Sequence, residues 1–439
     1  MKILWLCNVI PPVIAKQLNT ETTVKEGWID AALKRMLSDK DKDITLGICA
    51  PTDSLDSPYK KDALSIEDRQ ITVYRFLEQT QTPWVYDKTL DVVFADVIAD
   101  FTPDMIHIFG TEYPHATACA KAFKRPDRLL IGIQGVMRAC AEEYCGGLPK
   151  DIVNSSTFRD RLKKDNIADQ QTKFELRAGF EKQTLENAGH ATGRTEFDRK
   201  EVLNINPKLI YHHMNETMRA EFYEGKWDPD RLNDNVIFVS QADYPLKGFH
   251  VLMEAMPYIL KAFPKTKIWV AGNSITGYRT LKEKIKIGGY GKYLRKLAVK
   301  NGLEDRITVL GKLSASEMRE RYENSSVYIC TSYVENSPNS LGEAMLVGTP
   351  SIAARVGGIP SVASKEEVTF FDKGDAKQLA ECVIGLFSDK DKAVKMAEAA
   401  KKRAEADHDA NKNFERLMEI YKEISLPETA GLRLKASAF

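Results

Sequence analysis

The chain contains no stretch of eighteen consecutive apolar residues, so it has no segment of the length that crosses a bilayer as a helix. Neither sign of charge dominates: 63 Lys and Arg stand against 62 Asp and Glu, a net charge of +1. That balance argues against a dedicated nucleic-acid binder, whose footprint is a basic excess. The pattern G-x-G-x-x-G is absent, and Gly291-Lys292 lacks the spacing and the hydroxyl of a P-loop, so neither glycine-rich phosphate signature applies. Candidate metal ligands are sparse as well. The seven cysteines (Cys7, Cys49, Cys119, Cys140, Cys145, Cys330, Cys382) are scattered and odd in number, and several fall inside expected strands and helices, where a free thiol acts as a small apolar filler. Cys140 and Cys145 are the one close pair, and no second pair or His-x-His cluster completes a site, so no metal is expected. Unpaired cysteines suit a reducing compartment. The opening MKILWLCNVIPP has one lysine and an apolar run broken at Pro11-Pro12, which fits a first β-strand better than a signal peptide. The expected location is cytoplasmic, and the sequons at Asn154, Asn215 and Asn324 carry no meaning without export.

What is present is alternation. At 439 residues the chain exceeds what one core usually supports, so two domains are expected. Residues 2–7, 44–49, 71–76, 105–109 and 129–133 read as strands, separated by helical patterns such as 28–37 and 90–101. Strands that alternate with helices imply an α/β fold with a doubly wound parallel sheet. Residues 8–28 read as a long loop ending in Glu26-Gly27-Trp28. In PDMIHIFGTEYPHA, His107 lies in the strand, Gly110 allows a sharp turn, and Glu112 and His115 follow at the carboxyl end, where such sheets bind ligands. A plain hydrogen-bonded strand histidine is the alternative for His107.

Residues 158–187 are highly charged, with apolar positions at Leu162, Ile167, Phe174, Leu176, Phe180 and Leu185, and read as a solvated helix with one packed face. A membrane-surface role for this segment would call for a clearer Lys and Arg excess. HATGRTEFDR reads as a short strand and a Thr195-capped helix, with Arg194 either reaching the ligand side or pairing with Asp198. His212 and His213, adjacent on a strand, point to opposite faces and cannot share a metal. Residues 224–235 are polar and turn-rich, as a linker would be. Residues 236–240, 267–271 and 306–310 continue the strand series, and only helices follow Asp375. The last, 411–424, carries Phe414, Leu417, Met418 and Tyr421.

The densest signal lies in VYICTSYVENSPNSLGEAMLVGTPSIAARVGGIP, residues 327–360. It reads as strand, helix and strand, the size of one βαβ crossover. Ser340 or Asn339 can cap the helix, and Glu343 stands three residues after Ser340, the capping-box spacing. A helix start at the carboxyl end of a parallel sheet presents N–H groups to phosphate, so Asn339, Ser340, Leu341 and Gly342 read as a diphosphate seat. Glu335, at the strand end beside that seat, suits acceptance of sugar hydroxyls. Lys247-Gly248, on the loop before an amphipathic helix, places a point charge for a leaving diphosphate; a solvated lysine at a helix start is the alternative.

Glu335, seven residues and Glu343, with NSLGEAM, the VGTP turn and Gly357-Gly358, resemble the E-x7-E signature of retaining glycosyltransferases of family 4, which have the GT-B fold. The resemblance is strongest over 236–360 and extends to 103–116 and to the GRT-x-x-D wording of 190–198. It implies two Rossmann-like doubly wound parallel-sheet domains facing an interdomain cleft. The expected domains are an acceptor-side 1–224, a nucleotide-sugar-binding 225–408, and a returning C-terminal helix and tail in 409–439. It implies transfer of a sugar from a nucleotide diphosphate donor, such as a UDP- or GDP-sugar, to a hydroxyl of a glycan, lipid-linked or small-molecule acceptor in polysaccharide or glycan synthesis.

Lys247 and Glu335 would be catalytic. Gly27, Gly248, Asn336, Asn339, Ser340, Leu341, Gly342 and Glu343 would bind the nucleotide sugar, Glu343 through the ribose, and Glu112, Gln134, His107 and Arg194 would face the acceptor. No cofactor, metal or nucleic acid is implied; a weak peripheral contact at the inner face of a membrane is left open. The chain departs from the family at Gln134, where a histidine is common, and at Ser240-Gln241, where an arginine is usual. Two rivals remain: a GT-B sugar-nucleotide epimerase or phosphorylase, and a non-catalytic sugar-nucleotide-binding protein.

Overall fold

The computed structural model describes residues 1–20, 27–38, 43–232, 235–274, 276–277 and 280–426. The strands, in chain order, are β1 Lys2–Leu6, β2 Thr45–Thr52, β3 Tyr59–Ile66, β4 Arg69–Leu77, β5 Met105–Phe109, β6 Leu129–Gly132, β7 His190–Gly193 and β8 Ile210–His213, then β9 Val236–Val239, β10 Lys267–Ala271, β11 Ile307–Gly311, β12 Val327–Cys330, β13 Ser351–Ala354 and β14 Thr369–Phe371. The first eight form one sheet in the order β3-β4-β2-β1-β5-β6-β7-β8, and the other six form a second in the order β11-β10-β9-β12-β13-β14. Among the described residues every ladder is parallel except the hairpin of β3 with β4. Central strands such as KILWL and VYIC are buried along almost their whole length, as parallel strands covered on both faces must be. Among the described residues no helix is long and apolar enough to cross a membrane.

Two compact units result. Residues 1–138, 176–217 and 408–439 form the first, and residues 139–175 and 218–407 the second. This differs from a boundary at 224/225. Residues 139–175, assigned by order in the chain to the first domain, cluster with the second, and the divide at 175/176 falls inside the helix Ile167–Glu186.

Local differences have local causes. The stretch 8–28, expected to be a loop, contains a helix at Pro12–Gln17, started by Pro12 where a fixed φ and a missing N–H cost nothing. Gly27 is not in a loop either; it is the first residue of the helix Gly27–Ser38, while Glu26 lies outside the described residues. Residues 158–187 are two helices, Phe158–Lys163 and Ile167–Glu186, broken at Lys164 with φ of 49°. The tail 427–439 lies outside the described residues.

The terminal helix Ala410–Ser425 belongs to the first unit and buries Phe414, Leu417, Met418, Ile420, Tyr421 and Ile424 in the same cluster as Ile3, Trp5 and Ile48. Tyr421 lies at the centre of a buried chain of hydrogen bonds. Its hydroxyl accepts from Trp5 Nε1 at 2.8 Å and shares a hydrogen bond with His107 Nδ1 at 2.8 Å. Tyr421→Phe leaves both groups without that partner and is expected to lower stability by about 1–2 kcal/mol, measured as a fall in the urea midpoint.

Candidate active site

β9 and β12 are neighbours in the second sheet, with β10 and β11 on one side and β13 and β14 on the other. The chain therefore runs off in opposite directions from these two strands, and the carboxyl ends of such a pair form the switch point at which open α/β sheets bind ligands. Lys247 lies on the loop after β9 and Glu335 on the loop after β12. Gly248 has φ of 66°, and a Cβ there would sit 2.0 Å from the Thr331 carbonyl oxygen, so only glycine fits. Thr331 Oγ1 donates to the Lys247 carbonyl at 2.7 Å, and the Tyr333 N–H donates to the Leu246 carbonyl at 2.8 Å. The two loops are thereby joined backbone to backbone. From the other side, Gly358 N–H donates to the Glu335 carbonyl at 2.9 Å, and Gly357, with φ of 50°, passes so close that a Cβ would lie 2.0 Å from the same oxygen. The Gly357-Gly358 pair after β13 is the seat of Glu335.

The two side chains meet. Lys247 Nζ donates to Glu335 Oε1 at 2.5 Å, and Ser332 Oγ donates to the same oxygen at 2.6 Å. The side chains are 19% and 14% exposed, so Lys247 is not a solvated lysine. Burial by itself would favour loss of the lysine proton; the Glu335 carboxylate outweighs it and holds the ammonium well above its ordinary pKa. Asn336 is buried in the same loop.

The helix Asn339–Val347 begins two residues earlier than a capping box at Ser340 requires. Pro338 holds the cap position with no side-chain cap, which puts Glu343 at the fifth helical residue and out of reach of the cap. Glu343 turns inward instead, accepting from Arg219 Nη2 at 2.7 Å and from the Tyr322 hydroxyl at 3.3 Å. Burial raises its pKa and Arg219 opposes the rise. Ser340 Oγ accepts from the Tyr328 hydroxyl at 2.7 Å. The amides of Leu341 and Gly342 donate to the Pro338 carbonyl at 3.0 and 3.3 Å, so two of the four expected diphosphate donors already serve the first turn.

Residues 139–175 underpin these loops. His250, on the helix Phe249–Ala262, donates through Nε2 to the Gly146 carbonyl at 2.9 Å and accepts at Nδ1 from Tyr290 at 3.1 Å. Its ring stacks on Tyr333 at 5.8 Å, and Tyr144 stacks on Tyr244 at 6.0 Å. No motif points to Gly146, Tyr144, Arg219 or Tyr322. They act through contacts far apart in sequence, and their nearest signal is the Gly146-Gly147 pair.

In the first unit, Glu112 joins three strand ends. Its Oε1 accepts from Gly135 N–H at 3.0 Å, its Oε2 from Asn8 Nδ2 at 3.2 Å, and its carbonyl from Arg177 Nε at 2.9 Å. His107, Gln134 and Arg194 line one cavity of about 10 Å³ together with Glu216. Gln134 Nε2 donates to Glu216 at 2.6 Å and Arg194 Nη1 pairs with it at 2.9 Å, while the Arg194 backbone N–H donates to Asp198. Arg194 thus reaches Asp198 through its main chain and Glu216 through its side chain. The reading of Thr195 as a helix cap holds, since its side chain accepts from Asp198 N–H. His107 is the hydrogen-bonded strand histidine. Burial lowers its pKa to about 3 and keeps it neutral.

A carboxylate with no sequence signal is also buried here. Glu181 accepts from Thr111 Oγ1 at 2.9 Å and from the Met137 and Arg138 N–H groups at 3.0 and 3.2 Å. Burial raises its pKa from 4.5 to about 7 against those hydrogen bonds. The folded value lies above the unfolded one, so its contribution is full below pH 4.5 and is lost as pH rises towards 7. Glu181→Gln is expected to flatten that decline by about 2–3 kcal/mol between pH 5 and 8, read from unfolding midpoints at each pH. Among the described residues no group of three or more His, Cys, Asp or Glu is placed to hold a metal.

Residues 226–403 match the family described as glycosyl transferases group 1. The chain is 26% identical over 189 residues to spore coat protein SA of Bacillus subtilis, covering 42% of this chain and 48% of that protein. It is 28% identical over 188 residues to D-inositol 3-phosphate glycosyltransferase of Corynebacterium urealyticum, covering 42% of each. The chain spans less than half the length of these relatives. Among solved structures, sucrose-phosphate synthase from Thermosynechococcus elongatus superposes with a TM-score of 0.67 at 14% identity, over 97% of this chain and 99% of that one. Anabaena HepE in complex with UDP-glucose does so with a TM-score of 0.64 at 15% identity, over 96% and 100%. At these identities the likeness is one of fold, and that fold is GT-B.

Proposed function

We propose that the protein is a retaining glycosyltransferase that moves a sugar from a nucleoside diphosphate donor to an acceptor hydroxyl in glycan synthesis. The observation that carries the reading is the Lys247–Glu335 pair, fixed by glycines at the switch point of the sheet that the glycosyl transferases group 1 family matches. Negative charge grows on the departing diphosphate, and a cation held in place before the reaction stabilises it at little cost of reorganisation. Lys247 supplies that cation, and the start of the helix Asn339–Val347, which follows the Glu335 loop, would add its remaining amides. The reading assigns this charge to the protein and to no metal ion. Glu335 positions the donor sugar. Glu343 keeps acceptor lone pairs beyond its bonds to Arg219 and Tyr322 for the ribose hydroxyls, and the leaving phosphate takes the acceptor's proton on the same face.

Gln134 cannot take up a proton at pH 7, and His107, its pKa lowered to about 3 by burial, is a weak base; this mechanism needs neither. UDP-glucose is the first donor to try, given the Anabaena structure, and D-inositol 3-phosphate one acceptor, given the Corynebacterium relative. A thermal-shift screen with UDP-, GDP-, ADP- and dTDP-sugars tests the reading, since a donor at 100 times its Kd adds about 2.7 kcal/mol. Donor turnover then separates a transferase from a passive binder. Failure of every donor to stabilise the protein would refute the reading.

A further inference from the structure

Two short helices of the second unit, Phe158–Lys163 and Leu281–Lys286, pack side by side. Their large apolar side chains do not face the interior: Phe158 is 69% exposed, Leu162 75%, Leu281 75% and Ile285 48%. Each helix carries its pair four residues apart, which places both members on one face. Arg161, Lys163, Lys164, Lys284 and Lys286 are exposed around them. The acids of the same helices are turned away. Asp160 is fully buried, accepting from Thr157 N–H and from Gly289 N–H at 2.8 Å, and Glu283 is spent on the cap at Thr280. A chain with a net charge of only +1 thus sorts its charges here, with carboxylates serving as caps and cations and large apolar groups facing out.

We propose that this face docks on an anionic lipid membrane. Apolar side chains ringed by Lys and Arg are what the headgroup boundary accepts, with the apolar groups entering the acyl edge and the cations meeting lipid phosphates. A second copy of the chain is disfavoured, because a two-fold contact would set this cationic face against itself. Arg159, Glu283 and Lys286 of the same helices also line a cavity of about 450 Å³ that reaches Asp243 and Tyr244, and the Tyr244 ring lies 6.0 Å from Lys247 Nζ. Docking would hold that cavity at headgroup depth.

The test is co-sedimentation of the full chain with phosphatidylcholine vesicles with and without phosphatidylglycerol. Binding is expected only to the anionic vesicles and is expected to weaken as salt shortens the screening length. The double substitution Lys163→Glu/Lys164→Glu is expected to reduce the affinity about 25-fold or more, at about fivefold for each cation lost. Leu162→Ser/Leu281→Ser is expected to reduce it at least tenfold, with unchanged melting in both because all four residues are exposed. Equal affinity for both vesicle types, no affinity for either, or variants that bind like the parent would overturn the proposal. So would a dimer that the same variants dissolve in sedimentation velocity without any vesicle binding. Vesicle binding is read without a sugar donor, so its outcome is independent of the transferase reading.

Discussion

Lys247→Ala is expected to lower kcat/KM by about 2–4 kcal/mol of transition-state stabilisation, roughly two to three orders of magnitude. It is also expected to lower stability, because Glu335 would lose the partner that meets its carboxylate. The pair is only partly buried, at 19% and 14% exposure, so the stability loss should fall below that of a fully buried pair, at about 1–3 kcal/mol. Glu335→Gln is expected to give a similar loss of turnover, since the amide keeps the shape of the carboxylate while removing the charge that holds Lys247 protonated and in place. The double variant should lose less than the sum of the two, which is the mark of groups that act together. Turnover of donor and urea unfolding, measured on all three variants, decide the matter. Parental rates in both single variants would remove these residues from the site.

Gly357→Ala is expected to do comparable damage without touching a charged group. The residue has φ of 50°, and its new Cβ would fall 2.0 Å from the Glu335 carbonyl oxygen, a backbone atom that cannot swing aside as a side chain can. A left-handed alanine costs about 1 kcal/mol or more, and relief of the overlap adds to it, so about 3 kcal/mol of stability is expected to go. Any relief must move the Glu335 loop. Turnover should therefore fall even where the protein stays folded, while Gly385→Ala, on the helix Ala376–Ser388 with open space around its Cβ position, should leave turnover near the parental level.

The fold could be read from the sequence wherever a strand is buried on both faces. MIHIF and KIWVA read at their observed bounds, because an unbroken apolar run between turn residues admits little else. The strand YKKDALSI escaped notice, since an edge strand protects itself with charge and Lys60, Lys61 and Asp62 erase its alternation. Glu335, Lys247 and the two glycines could be singled out because each is tied to a local turn. The inward turn of Glu343 could not, because it depends on Arg219, 124 residues away along the chain. The assignment of residues 139–175 to the second unit was equally hidden, as it rests on contacts such as His250 with Gly146 that no periodicity encodes.

Chain passage between the units occurs at 138/139, 175/176, 217/218 and 407/408. No single cut in the gene therefore separates them: a fragment ended near residue 217 would take the Tyr144 and Gly146 buttress away from the lysine and glutamate loops and leave Trp5 and His107 without Tyr421. Transplanting one half into a hybrid enzyme calls for exchanging the interleaved pieces as a set.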